Sequence, residues 1–160
     1  AVETVTGGQV RPDCKWPNDL MVNGRKISGI LLESASNKGS ETDYLVIGAG
    51  VNVAFFPDDA ERPTTSLAAL GAPVAVDDLV ACYVARVAHW LPIWEKDGFA
   101  PIRDAWLTRG YGLGKPIVAR LTERELEGTF VGLDDDGSLI LRENSGVEHR
   151  IGAGEVFFAT

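Results

Sequence analysis

Several features that mark other classes of protein are missing from this sequence. No apolar run reaches the roughly 18 residues that cross a bilayer, and no basic segment followed by an apolar one suggests a secretory signal. The two cysteines, Cys14 and Cys82, lie far apart and form no CxxC or Cys/His group, so we expect reduced thiols and no metal site. Lys and Arg (15) are outnumbered by Asp and Glu (23), and no basic stripe could displace counterions from phosphates. We therefore predict a cytoplasmic protein that binds neither membranes nor nucleic acid.

The organisation of the 160 residues changes once, at the Gly-rich segment 112–116. Strand-like and helix-like patterns mix before this segment, and only short strand-like runs follow it. We predict an α+β protein with two domains, residues 1–112 and 113–160. The chain begins without Met, and residues 1–5 read like the end of a helix already under way. We therefore expect that sequence upstream of residue 1 is missing.

The first domain is predicted to contain two hairpins. Residues 23–24 (Asn-Gly) are typical of a tight hairpin turn, because both positions tolerate positive φ. A strand then follows over 26–34, and its apolar run 30–32 predicts burial on both faces. A turn at 37–40 leads to a second apolar strand over 44–53.

Helices are predicted in the rest of the first domain. Residues 66–70 form a short helical piece, and Asp77 is a suitable N-cap for a longer amphipathic helix. Pro92 should kink or break that helix because it lacks a backbone donor, and Gly98 should end it. A second helix is predicted over 101–109. The apolar positions of the long helix are Val80, Tyr83, Val84, Val87, Leu91 and Trp94.

The second domain reads as short strands, with turns at 135–137 (Asp-Asp-Gly) and 144–146 (Asn-Ser-Gly). Five short strands in about 45 residues are typical of a small barrel of the SH3-like type. The predicted strands are 117–121, 126–133, 138–142, 147–151 and 156–158.

The first candidate for chemistry is a pair of opposite charges, Asp19 and Lys26, on either side of the predicted hairpin turn. The turn can fold the two side chains together, and each charge then stabilises the other. Such a pair is either an ordinary surface salt bridge or, at the mouth of a pocket, a binder of phosphate or carboxylate oxygens. We expect the nearby Trp16 to belong to the core rather than to stack on a ligand.

Glycines inside apolar strands form the second group of candidates. Gly29, Gly48 and Gly50 interrupt strands that they should weaken, which indicates either a bulge or the close approach of a ligand to the backbone. Asn52 ends the second strand and can hydrogen-bond a ligand or cap a turn. The Gly-Ala-Gly run is not a dinucleotide fingerprint, because Val53 occupies the last glycine position and no helix follows.

Taken together and in this order, three segments resemble the signature of the biotin–protein ligases (biotin–[acetyl-CoA-carboxylase] ligases). They are 15–19 (Lys-Trp-Pro-Asn-Asp), 25–31 (Arg-Lys-Ile-Ser-Gly-Ile-Leu) and 48–52 (Gly-Ala-Gly-Val-Asn). Residues 65–67 and 154–156 are also similar to the family. The resemblance covers essentially the whole chain. It implies a mixed-sheet catalytic domain like that of the class II aminoacyl-tRNA synthetases, truncated at its N-terminus, with an SH3-like barrel after it.

The resemblance also implies a reaction. Family members make biotinyl-5′-AMP from biotin and ATP with Mg²⁺, and then transfer the biotin to one lysine of a biotin carboxyl carrier domain. Lys26 matches the catalytic lysine that contacts the biotin carboxylate and the adenylate phosphate. Asp19 matches the catalytic acidic residue, which either orients Lys26 or helps to deprotonate the acceptor amine. The matched biotin-binding residues are Lys26, Gly29, Ile30, Leu31, Gly48 and Gly50, and the matched nucleotide-binding residues are Asn18, Lys26 and Asn52.

The family's Gly/Arg-rich loop, its Ser/Thr-rich segment for the ureido group and any helix-turn-helix repressor domain lie upstream of the segment that 15–19 matches. None of them is in this chain, so we expect the 160 residues alone to be nearly inactive. Two other functions stay open: a non-catalytic module that binds biotin or the carrier domain, and a lipoate-attaching enzyme of the same superfamily. Some family members dimerise, and the sequence does not decide whether this protein is a homodimer.

Overall fold

The computed structural model describes residues 1–35, 44–57, 62–122 and 124–158. The predicted turn at 37–40 therefore lies outside the described residues. The described helices are α1 (Val2–Val5), α2 (Val76–Asp97) and α3 (Ala100–Leu107). The described strands are β1 (Asp13–Lys15), β2 (Asp19–Val22), β3 (Arg25–Ala35), β4 (Tyr44–Val51), β5 (Pro116–Arg120), β6 (Glu125–Leu133), β7 (Leu139–Arg142), β8 (Glu148–Ile151) and β9 (Glu155–Phe158).

The first four strands form an antiparallel sheet in the order β1-β2-β3-β4. The predicted hairpin turn between β2 and β3 is confirmed, since Asn23 and Gly24 have φ values of 50° and 75°. The register of this hairpin shifts in its middle: Leu20 is opposite Ser28, but Met21 is opposite Lys26. One residue of β3 is therefore unmatched and forms a β-bulge.

The far half of the β3–β4 hairpin is exposed, so the prediction that residues 30–32 are buried on both faces is wrong. Leu31 is 63% exposed and Leu32 is 59% exposed. The buried cluster of this part of the protein reaches only the start of β3 and the end of β4, where it contains Ile27 and contacts Val51. An apolar run identifies the strand, but burial depends on what packs against it.

Helix α2 differs from its prediction in three ways. It begins at Val76, so Asp77 lies in its first turn and does not cap it. It is not broken at Pro92 but continues to Asp97, because the rest of the helix supplies enough hydrogen bonds to tolerate one missing donor; a kink at Pro92 stays a prediction. Its apolar face is largely exposed, with Leu79 as its one buried residue. The exposed positions of the predicted apolar face are Val80, Val84, Leu91 and Trp94.

Other local predictions are closer to the structure. Gly98, with φ of 73°, ends α2 as expected, and α3 has Pro101 in its first turn. Residues 66–70 form a turn rather than a helix, in which the hydroxyl of Ser66 accepts a hydrogen bond from the backbone N–H of Ala69. In the described part of the chain, no helix has the length and apolar character needed to cross a membrane.

The last five strands form a second antiparallel sheet in the order β8-β7-β6-β5-β9. Each strand begins and ends within one residue of its predicted limits. Helices and antiparallel sheets together confirm the α+β class. The SH3-like description of this sheet stays a prediction.

Trp16 connects the two sheets. It is 5% exposed and belongs to the same buried cluster as Ile117, Phe130 and Leu139 of the second sheet. Its indole Nε1–H donates a hydrogen bond to the carbonyl of Gly137 at 3.1 Å. The tryptophan between β1 and β2 is thus a core residue, as expected, but of the second sheet. Its packing holds the β1–β2 connection against the C-terminal strands.

Candidate functional site

The predicted pair of opposite charges is present. The Lys26 ammonium lies 2.5 Å from the Asp19 carboxylate, and the two side chains are 37% and 11% exposed, respectively. The β-bulge explains how they meet. Asp19 is opposite Gly29 and Met21 is opposite Lys26, so all four residues lie on one face of the sheet. Without the unmatched residue Ile27, the pleat would place Lys26 on the other face.

Gly29 leaves space for this ion pair. A methyl group at Gly29 would lie 3.2 Å from Lys26 Nζ and 3.4 Å from the nearer oxygen of Asp19. The contact with Lys26 Nζ is shorter than an ordinary van der Waals contact and the one with Asp19 is at its lower limit, so a larger residue would displace the lysine ammonium. The close approach of two charged side chains thus explains why a glycine occupies this position of the strand.

Two clefts adjoin the ion pair and share Lys26 and Thr64. The first has a volume of about 440 Å³ and is rich in charged side chains. The second has a volume of about 410 Å³ and is lined largely by small, uncharged residues. The first is lined by Lys15, Pro17, Asn18, Asp19, Lys26, Arg62, Thr64, Gly154, Glu155 and Val156. The second is lined by Lys26, Ser28, Gly29, Gly50, Val51, Asn52, Pro57 and Thr64.

Backbone hydrogen bonds fix Lys26 between the clefts. Its N–H donates to the carbonyl of Pro63 at 2.9 Å, and its carbonyl accepts from the N–H of Thr65 at 3.0 Å. The amide of Asn52 donates to the carbonyl of Thr65 at 2.9 Å, so Asn52 holds the same segment in place. The Thr-Ser-Leu segment that resembles the family therefore supports the lysine.

Asn18 lines the first cleft and braces β3. Its side-chain amide donates to the carbonyl of Ile30 at 2.7 Å, and its own carbonyl accepts from the N–H of Ile30 at 2.9 Å. Asn52 lines the second cleft. The two predicted nucleotide contacts thus lie in different clefts that Lys26 joins.

The predicted biotin-binding residues do not all lie together. Gly29 and Gly50 are opposite each other on β3 and β4 and both line the second cleft. Ile30, Leu31 and Gly48 line neither of the two clefts. Ile30 and Leu31 also point to opposite faces of the sheet because successive strand residues alternate. Their assignment to biotin stays a prediction.

Three charged residues of the first cleft were not singled out from the sequence. Lys15 is 5% exposed. Burial lowers the pKa of its ammonium and the guanidinium of Arg62 lowers it further, whereas Asp19 raises it. Arg62 lies 3.3 Å from the carboxylate of Glu155, at the start of β9. Lys15 and Glu155 belong to segments that resemble the family, which was the available signal.

The charged side chains of the first cleft suit the binding of anions that are rich in oxygen. Ammonium and guanidinium groups in a cleft bind phosphate and carboxylate oxygens. Among the described residues, no group of three or more His, Cys, Asp or Glu side chains is placed to hold a metal ion. Burial raises the pKa of the Cys14 thiol, which makes it a poor nucleophile at neutral pH.

Comparisons with known proteins agree with these features. Residues 1–108 match the Biotin/lipoate A/B protein ligase family, and residues 112–159 match the Biotin protein ligase C terminal domain. The chain is 40% identical over 164 residues to the biotin–[acetyl-CoA-carboxylase] ligase of Paracoccus denitrificans. This alignment covers 99% of this chain and 68% of that protein. It is 31% identical to the bifunctional ligase/repressor BirA of Bacillus subtilis, over 87% of this chain and 44% of that protein.

A solved structure shares the fold. The biotin protein ligase from Aquifex aeolicus in complex with biotin and ATP matches with a TM-score of 0.79 and 22% identity, over 99% of this chain and 65% of that chain. The chain thus spans part of the length of each of these relatives. The two family matches and the Paracoccus relative together show the family. The chain belongs to the biotin protein ligase family.

Proposed function

We propose that this protein ligates biotin to a lysine of a biotin carboxyl carrier domain, by way of biotinyl-5′-AMP made from biotin and ATP. The observation that carries the proposal is the Lys26–Asp19 ion pair at 2.5 Å, which adjoins both clefts. The family membership and the biotin and ATP in the Aquifex relative support it.

In the first step, an oxygen of the biotin carboxylate attacks the α-phosphorus of ATP. A new P–O bond forms, the bond to the β-phosphate breaks, and pyrophosphate leaves. This step brings the carboxylate and the phosphate, both negative, together. The ammonium of Lys26 offsets that charge, and it is already held in position by its ion pair and its backbone hydrogen bonds.

In the second step, the amine of the acceptor lysine attacks the acyl carbon of biotinyl-5′-AMP. An amide bond forms, AMP leaves, and the amine loses a proton. Asp19 has two candidate roles, to orient Lys26 or to help remove that proton. Its contact with Lys26 and its low exposure favour the orienting role.

The two clefts suggest where the substrates lie. The second cleft exposes the backbone of the paired glycines Gly29 and Gly50, which suits the bicyclic head of biotin. Asn18 and Asn52 are proposed to contact the nucleotide. We assign Ile30, Leu31 and Gly48 to the wall of the biotin site only as a proposal. Mg²⁺ enters with the phosphates of ATP, and its coordination there needs few protein ligands.

The proposal is tested by ATP-dependent transfer of biotin to a carboxyl carrier domain. The assay uses the 160-residue chain and the chain extended by any upstream residues that its gene encodes. We expect Lys26→Ala to abolish transfer, while Lys96→Ala has no effect because Lys96 is 82% exposed and lines neither cleft. Low activity of the 160-residue chain alone stays our prediction.

Other results would point to other functions. A folded, extended protein that binds biotin but makes no adenylate would support a non-catalytic biotin- or carrier-binding module. Transfer of lipoate in place of biotin would support a lipoate-type ligase. The boundary between residues 112 and 113, the SH3-like barrel, a homodimer and a cytoplasmic location stay predictions.

A further inference from the structure

A short backbone segment, residues 62–65, holds Lys26 from outside its own sheet. The N–H of Lys26 donates to the carbonyl of Pro63 at 2.9 Å, and its carbonyl accepts from the N–H of Thr65 at 3.0 Å. Lys26 needs this support because the β-bulge at Ile27 interrupts the β2–β3 ladder beside it. The position of Lys26 therefore depends on what fixes the segment 62–65.

The segment is stiff at its start. Pro63 has a φ fixed by its ring at about −65°. It also restricts the residue before it, Arg62, to extended conformations. Few backbone torsions therefore separate the side chain of Arg62 from the Pro63 carbonyl that binds Lys26. An anchor for the guanidinium of Arg62 thus also limits the movement of that carbonyl.

The ring of Phe157, on β9, provides such an anchor. The Arg62 guanidinium lies 4.7 Å from the centre of the ring, which is within the distance of a cation–π contact. Val156 is buried in the core of the second sheet, so Phe157, the next residue of the strand, points to the opposite face. Glu155 also contacts Arg62, at 3.3 Å, but its side chain is 61% exposed, and exposed ion pairs hold side chains weakly.

We propose that Phe157 is a positioning residue for Lys26. Its ring holds Arg62, and the Arg62–Pro63 backbone fixes the strand position from which Lys26 reaches Asp19. This inference rests on the proposed function, in which the Lys26 ammonium must face the α-phosphate. Phe157 itself lines neither cleft, so it acts on the reaction through Arg62 and not by contact with a substrate.

Amide hydrogen exchange in the 160-residue chain, followed by NMR, tests the link between the ring and the lysine. Phe157→Leu keeps an apolar side chain but removes the ring. We expect the Lys26 and Thr65 amides to exchange about two- to fivefold faster in this variant, which is the scale of a lost cation–π contact. The Ile30 amide donates to the carbonyl of Asn18, outside the segment 62–65, and its exchange should not change.

Two further variants separate the Arg62 contact from other effects of the ring. Arg120→Gln is the matched control, because Arg120 lies 4.5 Å from the same ring but belongs to β5, and it should leave Lys26 exchange unchanged. Arg62→Lys keeps the positive charge but loses the planar group that stacks on the ring. It should accelerate Lys26 exchange as Phe157→Leu does, and it carries the test if thermal unfolding shows that Phe157→Leu is not folded. The double variant should show no further acceleration, since both changes remove the same contact.

The role in the reaction is tested in the chain extended by the upstream residues that its gene encodes. We expect Phe157→Leu to lower kcat for biotin-dependent exchange of pyrophosphate into ATP by at least about threefold. The KM values for ATP and biotin should change by less than about twofold, since every side chain proposed to contact a substrate is retained. Phe157→Tyr keeps the ring and should restore kcat, which a purely structural loss of stability would not explain.

The inference is wrong if Phe157→Leu leaves Lys26 exchange or kcat unchanged, if the Ile30 amide accelerates as much as the Lys26 amide, or if Arg120→Gln has the same effect. Faster Lys26 exchange in a protein that forms no adenylate from biotin would contradict the proposed function and leave the anchor standing. Biotin ligation that does not depend on Phe157 would do the reverse.

Discussion

Replacement of Gly29 by alanine tests whether the position of the ion pair, and not merely its presence, matters for the reaction. The new methyl group would lie 3.2 Å from Lys26 Nζ, 3.3 Å from Lys26 Cε and 3.4 Å from Asp19. The Lys26 ammonium is the end of a flexible side chain, so it can move by a few tenths of an ångström. The close contacts are with side-chain atoms only, so we expect the backbone to stay in place.

The expected effect on stability is small. Loss of the glycine's flexibility in the unfolded chain contributes about 0.4–1 kcal/mol in favour of the folded state. Disturbance of a salt bridge whose lysine is more than one third exposed costs about 0.2–1 kcal/mol. The two terms nearly cancel, so the free energy of unfolding in urea should change by less than about 1 kcal/mol.

The expected effect on catalysis is large. A displaced ammonium no longer faces the charge that develops on the α-phosphate, and small misplacements in an active site reduce rates by about 10- to 100-fold. In the chain extended by the upstream residues that its gene encodes, we therefore expect Gly29→Ala to reduce the rate of biotin-dependent exchange of pyrophosphate into ATP by at least about tenfold. Gly132→Ala is the control, because a methyl group there meets nothing within 4 Å.

Two results would refute this reasoning. A Gly29→Ala protein with wild-type exchange would show that the ion pair need not be held where the structure has it. A loss of more than about 2 kcal/mol of stability would show that the added methyl group strains the backbone, beyond the salt-bridge cost worked out above.

Further predictions concern stability. Ile27→Ala should lower the free energy of unfolding in urea by about 2–5 kcal/mol because Ile27 is fully buried, whereas Leu31→Ala, at a side chain 63% exposed, should lower it by less than about 1 kcal/mol. Equal losses in the two variants would contradict the observed burial. A hydrogen bond from His149, and a weaker one from Ser145, lower the pKa of Glu143 from its ordinary value of 4.5. The stability from Glu143 is then present above pH 4.5 and is lost as the pH falls through the lowered pKa. The difference in urea midpoint between wild type and Glu143→Gln should therefore shrink on acidification to pH 3, and a constant difference would remove this account.

The local structure of the protein follows from its sequence. The Asn23-Gly24 turn and the end of α2 at Gly98 depend on residues that tolerate positive φ, so they can be read from neighbouring residues alone. Positive-φ glycines also lie in the connections after β6, β7 and β8, at Gly137, Gly146 and Gly154, and the predicted limits of the five C-terminal strands agree with the structure to within one residue. The hairpin turn also brings the start of β3 back alongside β2, but the β-bulge decides that Lys26 lies on the same face as Asp19.

The burial of apolar side chains could not be predicted from neighbouring residues in the same way. Leu31 and Val84 have the right side chains and spacing for a core, yet both are more than half exposed. A pattern of apolar residues predicts a strand or a helix, but burial requires a second surface in contact with it. The continuity of α2 through Pro92 could not be predicted from the neighbouring residues either. Proline removes one backbone hydrogen bond, and the remaining hydrogen bonds of the helix outweigh that loss.

The sequence by itself determined the family, the turns, most strand limits and the residue types of the reactive pair. The tertiary structure alone decided how those residues form a site. The bulge at Ile27 turns Lys26 to the face of Asp19, and the packing of Trp16 against the second sheet brings Glu155 to the cleft. The physical reason is that turns depend on the φ and ψ preferences of adjacent residues, whereas strand register and sheet packing depend on contacts between residues distant in sequence.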